Sequence, residues 1–160
     1  GLRYAALLGS IERHNAFPED PIQMRGGWAM DKDDLYDQAG VGPGDMDFVE
    51  VYDDYPVITA MQLEDLGFCA KSAAPQFIRE NTFTCDGSLP LNTSGGQLSV
   101  GQAGAAGGYL GLVEALRQLT DQPLGAPVPS ARLGLVSGFG MINYDRGLCS
   151  GAVVLARSAA

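Results

Sequence analysis

The sequence predicts an α/β layered domain, with helices packed on a mixed, mostly parallel sheet in the order β-α-β-α-loop-α-β-β. Three observations predict it. Apolar runs of strand character alternate with stretches of helical periodicity. Two strand-like runs close the chain and read as a hairpin. Finally, 160 residues with 46% hydrophobic content fit one domain over 1–160, long enough to bury about 70% of its unfolded surface.

Each element follows in order. Residues 2–13 (LRYAALLGSIER) are an apolar run with a polar end, a buried strand that runs out at His14. Pro18, Pro21 and the Gly26-Gly27 pair make 15–27 a loop. Trp28, Leu35 and Tyr36 interleave with Asp31, Lys32, Asp33 and Asp34, the pattern of a surface helix over 28–39, and Gly40 is its C-cap. The chain turns over 41–45, and 46–52 (MDFVEVY) alternates like a half-buried strand. Pro56 suits the first turn of a second helix, with Asp54 as its N-cap. Ile58, Met61, Leu63 and Leu66 line one side of that helix, and Gly67 ends it. A polar connector over 69–88 holds a short helix around 75–80. After a link at 121–129, residues 132–137 (RLGLVS) and 149–156 (CSGAVVLA) are the closing strands, with 138–147 (GFGMINYDRG) looping between them.

The chain is organised around 89–119 (LPLNTSGGQLSVGQAGAAGGYLGLVEALRQL). Turn residues lead into Gly95-Gly96, and 101–108 holds only Gly, Ala and Gln102. From Tyr109 onward Leu110, Val113, Leu116 and Leu119 recur at helical spacing. Glycine inside a helix costs about 1 kcal/mol against alanine, and that cost is tolerated where a backbone must approach something closely. The prediction is a buried helix whose glycine-rich end lies against a sheet, another helix or a ligand, with free N–H groups facing a site. A tightly packed core helix with no ligand fits the same residues.

Composition removes several function classes. A net charge of −9 leaves no basic cluster for nucleic-acid phosphates. No apolar run approaches the length of a membrane span. Cys69, Cys85 and Cys149 are odd in number and lack C-x-x-C spacing, so neither a disulfide scaffold nor a metal site is expected, and the compartment reads as reducing cytosol. The opening at Gly1 has neither an initiator Met nor a signal-peptide pattern, and reads as a processed or truncated chain.

Three motifs in order carry a resemblance. LNTSGGQLSVGQAGAAGG is similar to the thiolase pattern N-x-x-GG-x-x-x-x-GHP-x-GA-x-G, with Gly101-Gln102-Ala103 at the Gly-His-Pro position. DMDFVEVYDDYPVITAMQLEDLGFC resembles the thiolase region D-x-D-x-x-E-x-N-E-A-F-A, and more closely its version in thiolases related to sterol carrier protein. On that alignment Tyr52 takes the His or Asn position, Asp53 the acidic one and Tyr55 the Phe. LGLVSGFG resembles the loop of the second catalytic cysteine, placing Val136 at that cysteine, and GLCSGAVVL matches the closing strand. The resemblance spans roughly residues 3–157 and implies the C-terminal half of a two-half thiolase fold.

The chemistry departs from the family. A thiolase uses a nucleophilic Cys, an activating His, a second Cys and an oxyanion hole. Here Tyr52, Gln102 and Val136 stand at three of those positions, and the single histidine, His14, lies outside every motif. What the resemblance implies is an aldolase of the lipid-transfer type, cleaving a β-hydroxyacyl-CoA with a steroid-type side chain. In that reading Tyr52 takes the β-hydroxyl proton, Asp53 orients it, and Gln102 donates to the thioester oxygen. Tyr55 and Tyr144 are reserve acid–base groups. Gly95, Gly96, Gly101 and Gly138 mark the loops that approach the coenzyme A thioester, which enters as part of the substrate and not as a covalent cofactor. A non-catalytic acyl-CoA-binding or scaffold subunit is the alternative, and acyl transfer a third if an N-terminal half carries a nucleophilic Cys. The implied partners are that N-terminal half, a second copy in a homodimer, and a small OB-fold acyl-CoA-binding protein. An apolar face around Tyr109, Leu110 and Val113 is expected to meet the other half.

Overall fold

The computed structural model describes residues 3–102, 104–143 and 146–158. Four strands form one sheet in the order β1-β4-β3-β2: β1 is Ala5–His14, β2 Phe48–Glu50, β3 Leu133–Asn143 and β4 Arg146–Arg157. The α/β class is as expected, but the sheet is not mostly parallel. Only β2 pairs parallel, to β3, whereas β3–β4 and β4–β1 are antiparallel. The reason lies at 138–147, expected as a loop. Residues 138–143 instead continue β3 opposite β4, with Gly138 facing Gly151 and Gly140 facing Cys149, so the closing hairpin supplies most of the sheet. Tyr144 lies outside the described residues.

Alternation along β3 and β4 sends successive side chains to opposite faces. Leu135, Phe139, Ala152 and Val154 meet Trp28 and Leu35 of helix α1 (Trp28–Ala39) and Met61 and Leu63 of α2 (Pro56–Asp65). Val136 and Leu155 meet Ala115 and Leu119 of α5 (Leu110–Leu119) on the other face. With helices on both sides, β2 is fully buried, not half-buried. β1 is the reverse: an edge strand in which only Gly9 is buried, because among the described residues one flank has no neighbouring strand.

The helices follow the sequence closely, with two corrections. Gly40 closes α1 at φ 68, and a short α3 spans Ala74–Glu80. The N-cap of α2 is Tyr55, without a side-chain bond to the helix, so Asp54 is free for another role. The central stretch is not one buried helix. It breaks into α4 (Gly96–Val100), a 3-10 turn (Gly104–Tyr109) and α5. The inward face of α5 is Glu114, Ala115, Gln118 and Leu119, while Tyr109, Val113 and Leu116 face outward. The polar face turns inward because it finds partners there: Glu114 accepts from Thr93 Oγ1 at 2.9 Å and from the Leu124 N–H at 3.1 Å, and Gln118 donates to Ala126 O at 3.1 Å. Among the described residues no helix is long and apolar enough to cross a membrane.

Candidate active site

Past Glu50 the chain leaves the sheet and is held at once. Gln62, a fully buried amide on α2, donates from Nε2 to the Tyr52 carbonyl at 2.6 Å and accepts at Oε1 from the Tyr52 N–H at 3.2 Å. The Ser137 hydroxyl donates to the same Oε1 at 2.6 Å, tying the turn to β3. With its backbone clamped on both sides, Tyr52 lays its ring 6.1 Å from that of Phe139, which in turn lies 5.8 Å from Trp28. The phenol oxygen accepts a hydrogen bond from Gln102 Nε2 at 2.9 Å. Burial pushes the phenol above its ordinary range; the Gln102 N–H acts against this, and the Asp54 carboxylate reinforces it by charge and by holding the phenol proton. At neutral pH the phenol is therefore protonated, with the Gln102 amide as its hydrogen-bond donor.

Behind Tyr52 lies a closed cradle. The Asp53 carboxylate, itself buried, accepts from the backbone N–H of Gln97 at 2.7 Å and of Leu98 at 3.4 Å, covering the first turn of α4. Asn92 Oδ1 accepts from the Val51 N–H at 2.7 Å. Gly96 sits between them at φ +65, and a Cβ there would run into the Asp53 carboxylate. Deeper still, Glu50 and Glu114 converge on one hydroxyl: Thr93 Oγ1 is 2.7 Å from Glu50 Oε1 and 2.9 Å from Glu114 Oε1, with Gln118 Nε2 at 3.1 Å. Burial first, and the neighbouring Glu114 and Asp53 charges after it, push the Glu50 carboxyl up to about 7 against the Thr93 hydrogen bonds. On its outer side Tyr52 borders a cavity of about 850 Å³, walled by Asp54, Tyr55, Val57, Met61 and Phe139 among others.

Against known proteins, the family described as thiolase C-terminal domain-like matches residues 13–149. This chain belongs to that family. A steroid side-chain-cleaving aldolase of Thermomonospora curvata is 36% identical over 107 residues, 67% of this chain and 27% of the relative. The 17-hydroxy-3-oxo-4-pregnene-20-carboxyl-CoA lyase of Mycobacterium tuberculosis is 42% identical over 85 residues, 53% of this chain and 21% of the relative. Among solved structures, the Ltp2-ChsH2(DUF35) aldolase superposes with a TM-score of 0.77 at 26% identity, over 95% of this chain and 39% of its own. The chain thus spans between a fifth and two fifths of the length of these relatives.

The structure brings Tyr52 and Gln102 together across 50 positions of sequence and sets Tyr55 on the same cavity wall. Asp53, expected to orient the phenol, spends its carboxylate on α4 instead and positions the turn. Val136 is buried toward α5, and the β3 residue that meets Tyr52 is Phe139. Of the glycines, Gly95 and Gly96 shape the cradle and Gly101 ends α4 at φ 102. Gly138 is inside β3 opposite Gly151, in strand rather than in a loop. Sequence reasoning missed Asp54, hidden by its resemblance to a helix cap, and Gln62, which no pattern separates from an exposed amide. Glu50 and Glu114 carried a signal in hindsight: an acid inside a strand of apolar neighbours, and an acid on the helix face that turns inward.

Proposed function

We propose that this chain is the C-terminal half of a thiolase-type carbon–carbon lyase that cleaves a β-hydroxyacyl-CoA by a retro-aldol step. The observation that carries the reading is the Tyr52 phenol, which accepts from Gln102 Nε2 at 2.9 Å at the edge of a large, mainly apolar cavity that Asp54 also lines. Names of the relatives add weight, since two of them are a steroid side-chain aldolase and a CoA-thioester lyase.

In this mechanism Tyr52 takes the proton of the substrate β-hydroxyl as its own proton passes to Asp54. The C–C bond breaks, a carbonyl product forms, and the electron pair moves into the thioester enolate. The second N–H of Gln102, with backbone N–H groups of the turn, stabilises the enolate oxygen. The proton then returns through Tyr52 to the α-carbon, and the shorter acyl-CoA leaves. Coenzyme A acts only as part of the substrate. The apolar cavity suits a bulky, steroid-like side chain.

The outward face of α5, with Tyr109 66% and Val113 45% exposed, is assigned to contact with the N-terminal half. Assembly into a homodimer, recruitment of an OB-fold acyl-CoA-binding protein and a cytosolic setting complete the reading. The test is Tyr52→Phe in the assembled enzyme. Cleavage of a β-hydroxyacyl-CoA should fall by about 10²–10⁴ in kcat with KM little changed, because a proton-transfer group acts in the transition state. Undiminished turnover in the Phe variant removes Tyr52 from the chemistry. Thioester binding without turnover in the parent protein favours a scaffold role.

A further inference from the structure

The edge strand of the sheet and its neighbour carry side chains that the aldol chemistry leaves unused. Antiparallel pairing sets His14 of β1 opposite Cys149 of β4, and Glu12 lies two residues back on the same face. Their donor atoms converge. His14 Nε2 is 2.6 Å from Glu12 Oε1 and 3.7 Å from Cys149 Sγ, with Sγ 4.0 Å from that carboxylate oxygen. Tetrahedral zinc, with bonds of about 2.0–2.3 Å to N, O and S, sets neighbouring ligand atoms about 3.3–3.7 Å apart. The S–N separation already matches and S–O is close. The short N–O contact opens by turning Glu12, whose side chain is 67% exposed.

The same geometry argues against a thiol nucleophile. A Cys-His-carboxylate relay needs thiol and carboxylate on different ring nitrogens, yet here both address Nε2. Burial, aided by the Glu12 charge, pushes the Cys149 thiol up, opposite to what an activated nucleophile requires. Beside the cluster the sheet face is bare. Gly140 lies opposite Cys149 and Gly138 opposite Gly151, and a Cβ at either would meet nothing within 4 Å. A metal there keeps an open fourth position.

We infer that Glu12, His14 and Cys149 form a three-ligand Zn²⁺ site on the sheet edge, with water or a small anionic ligand as the fourth partner. On binding, the Cys149 S–H gives its proton to solvent as the S–Zn bond forms. His14 moves its proton to Nδ1 and offers the Nε2 lone pair, and Glu12 turns from hydrogen-bond acceptor to metal ligand.

The experiment uses the untagged full-length protein, stripped with chelator and titrated with Co²⁺ as a coloured stand-in for Zn²⁺. One equivalent should produce a thiolate-to-metal charge-transfer band, bleached by Zn²⁺, with about one proton released per metal near neutral pH. Cys149→Ser should abolish the band, His14→Gln should weaken binding at least about tenfold, and Cys69→Ser should leave both unchanged. Absence of the band in the parent protein overturns the assignment, as does a band that survives Cys149→Ser. Should Cys149→Ser fail to fold by circular dichroism, His14→Gln decides alone, because that side chain is 47% exposed, and unaltered Co²⁺ affinity there is equally fatal.

Discussion

Two pieces of backbone hold the two ends of the Tyr52–Gln102 hydrogen bond, and they are built in opposite ways. Around the cradle the Gln97 N–H is held by the buried Asp53 carboxylate and the Val51 N–H by Asn92 Oδ1, and Gln62 clamps Tyr52 from the far side. The arm after α4 is exposed at Gly101, Gln102, Gly104, Gly108 and Tyr109, with Gly107 buried. A phenol that must stand at one place is set by contacts inside the chain. The Gln102 amide stands instead on an exposed, glycine-rich arm, tied to the rest of the site by its bond to Tyr52.

The strongest way to break this contrast is to fill the cradle. Gly96→Ala drives a Cβ into the Asp53 carboxylate at a left-handed backbone angle. It should cost about 3 kcal/mol by denaturant unfolding, and an unchanged midpoint means the cradle is not rigid.

Next in size is a pH effect from beneath the cradle. The Glu50 carboxyl stands at about 7 in the folded protein against an ordinary 4.5, so between those values the folded state holds a proton that the unfolded chain releases. The contribution is full below about 4.5 and lost as pH rises through about 7, which makes the protein about 2 kcal/mol less stable at pH 7.5 than at 5.5 from this group. Glu50→Gln should flatten that slope in thermal melts at the two pH values. A slope that persists assigns it elsewhere.

The smallest effect on stability belongs to the arm. Gln102→Ala should shift stability by less than about 0.5 kcal/mol, since the residue is exposed, while turnover falls about 10²–10³-fold through loss of one oxyanion donor. A stability loss as large as that of the cradle variant would erase the distinction between the two regions.

What was legible in the sequence follows a physical division. Elements with one dominant local signal emerged correctly: α1 with Gly40 behind it and α2 from Pro56. The errors arose where partners lie far along the chain. Glu114 and Gln118 turn inward because Thr93, Leu124 and Ala126 wait for them, and no periodicity encodes that. Residues 138–143 look like a glycine loop until β4 is placed alongside. The Glu12-His14-Cys149 cluster joins positions 135 apart, whereas spacing rules for metal ligands see only near neighbours.

The seating of β1 between nothing and β4 has a consequence for biosynthesis. Ala5 pairs with Arg157 and His14 with Cys149, so β1 leaves the ribosome well before its partner strand β4 has been made. β2 is bridged on one flank by Val49 to Leu91, but its parallel neighbour β3 begins only at Leu133. The sheet therefore cannot grow outward from β1 during synthesis, because β1 and β2 are joined to it only through pairings of high contact order with β4 and β3. Until then β1 travels as an unpaired edge, guarded by the charges of Glu12 and Arg13 at its far end.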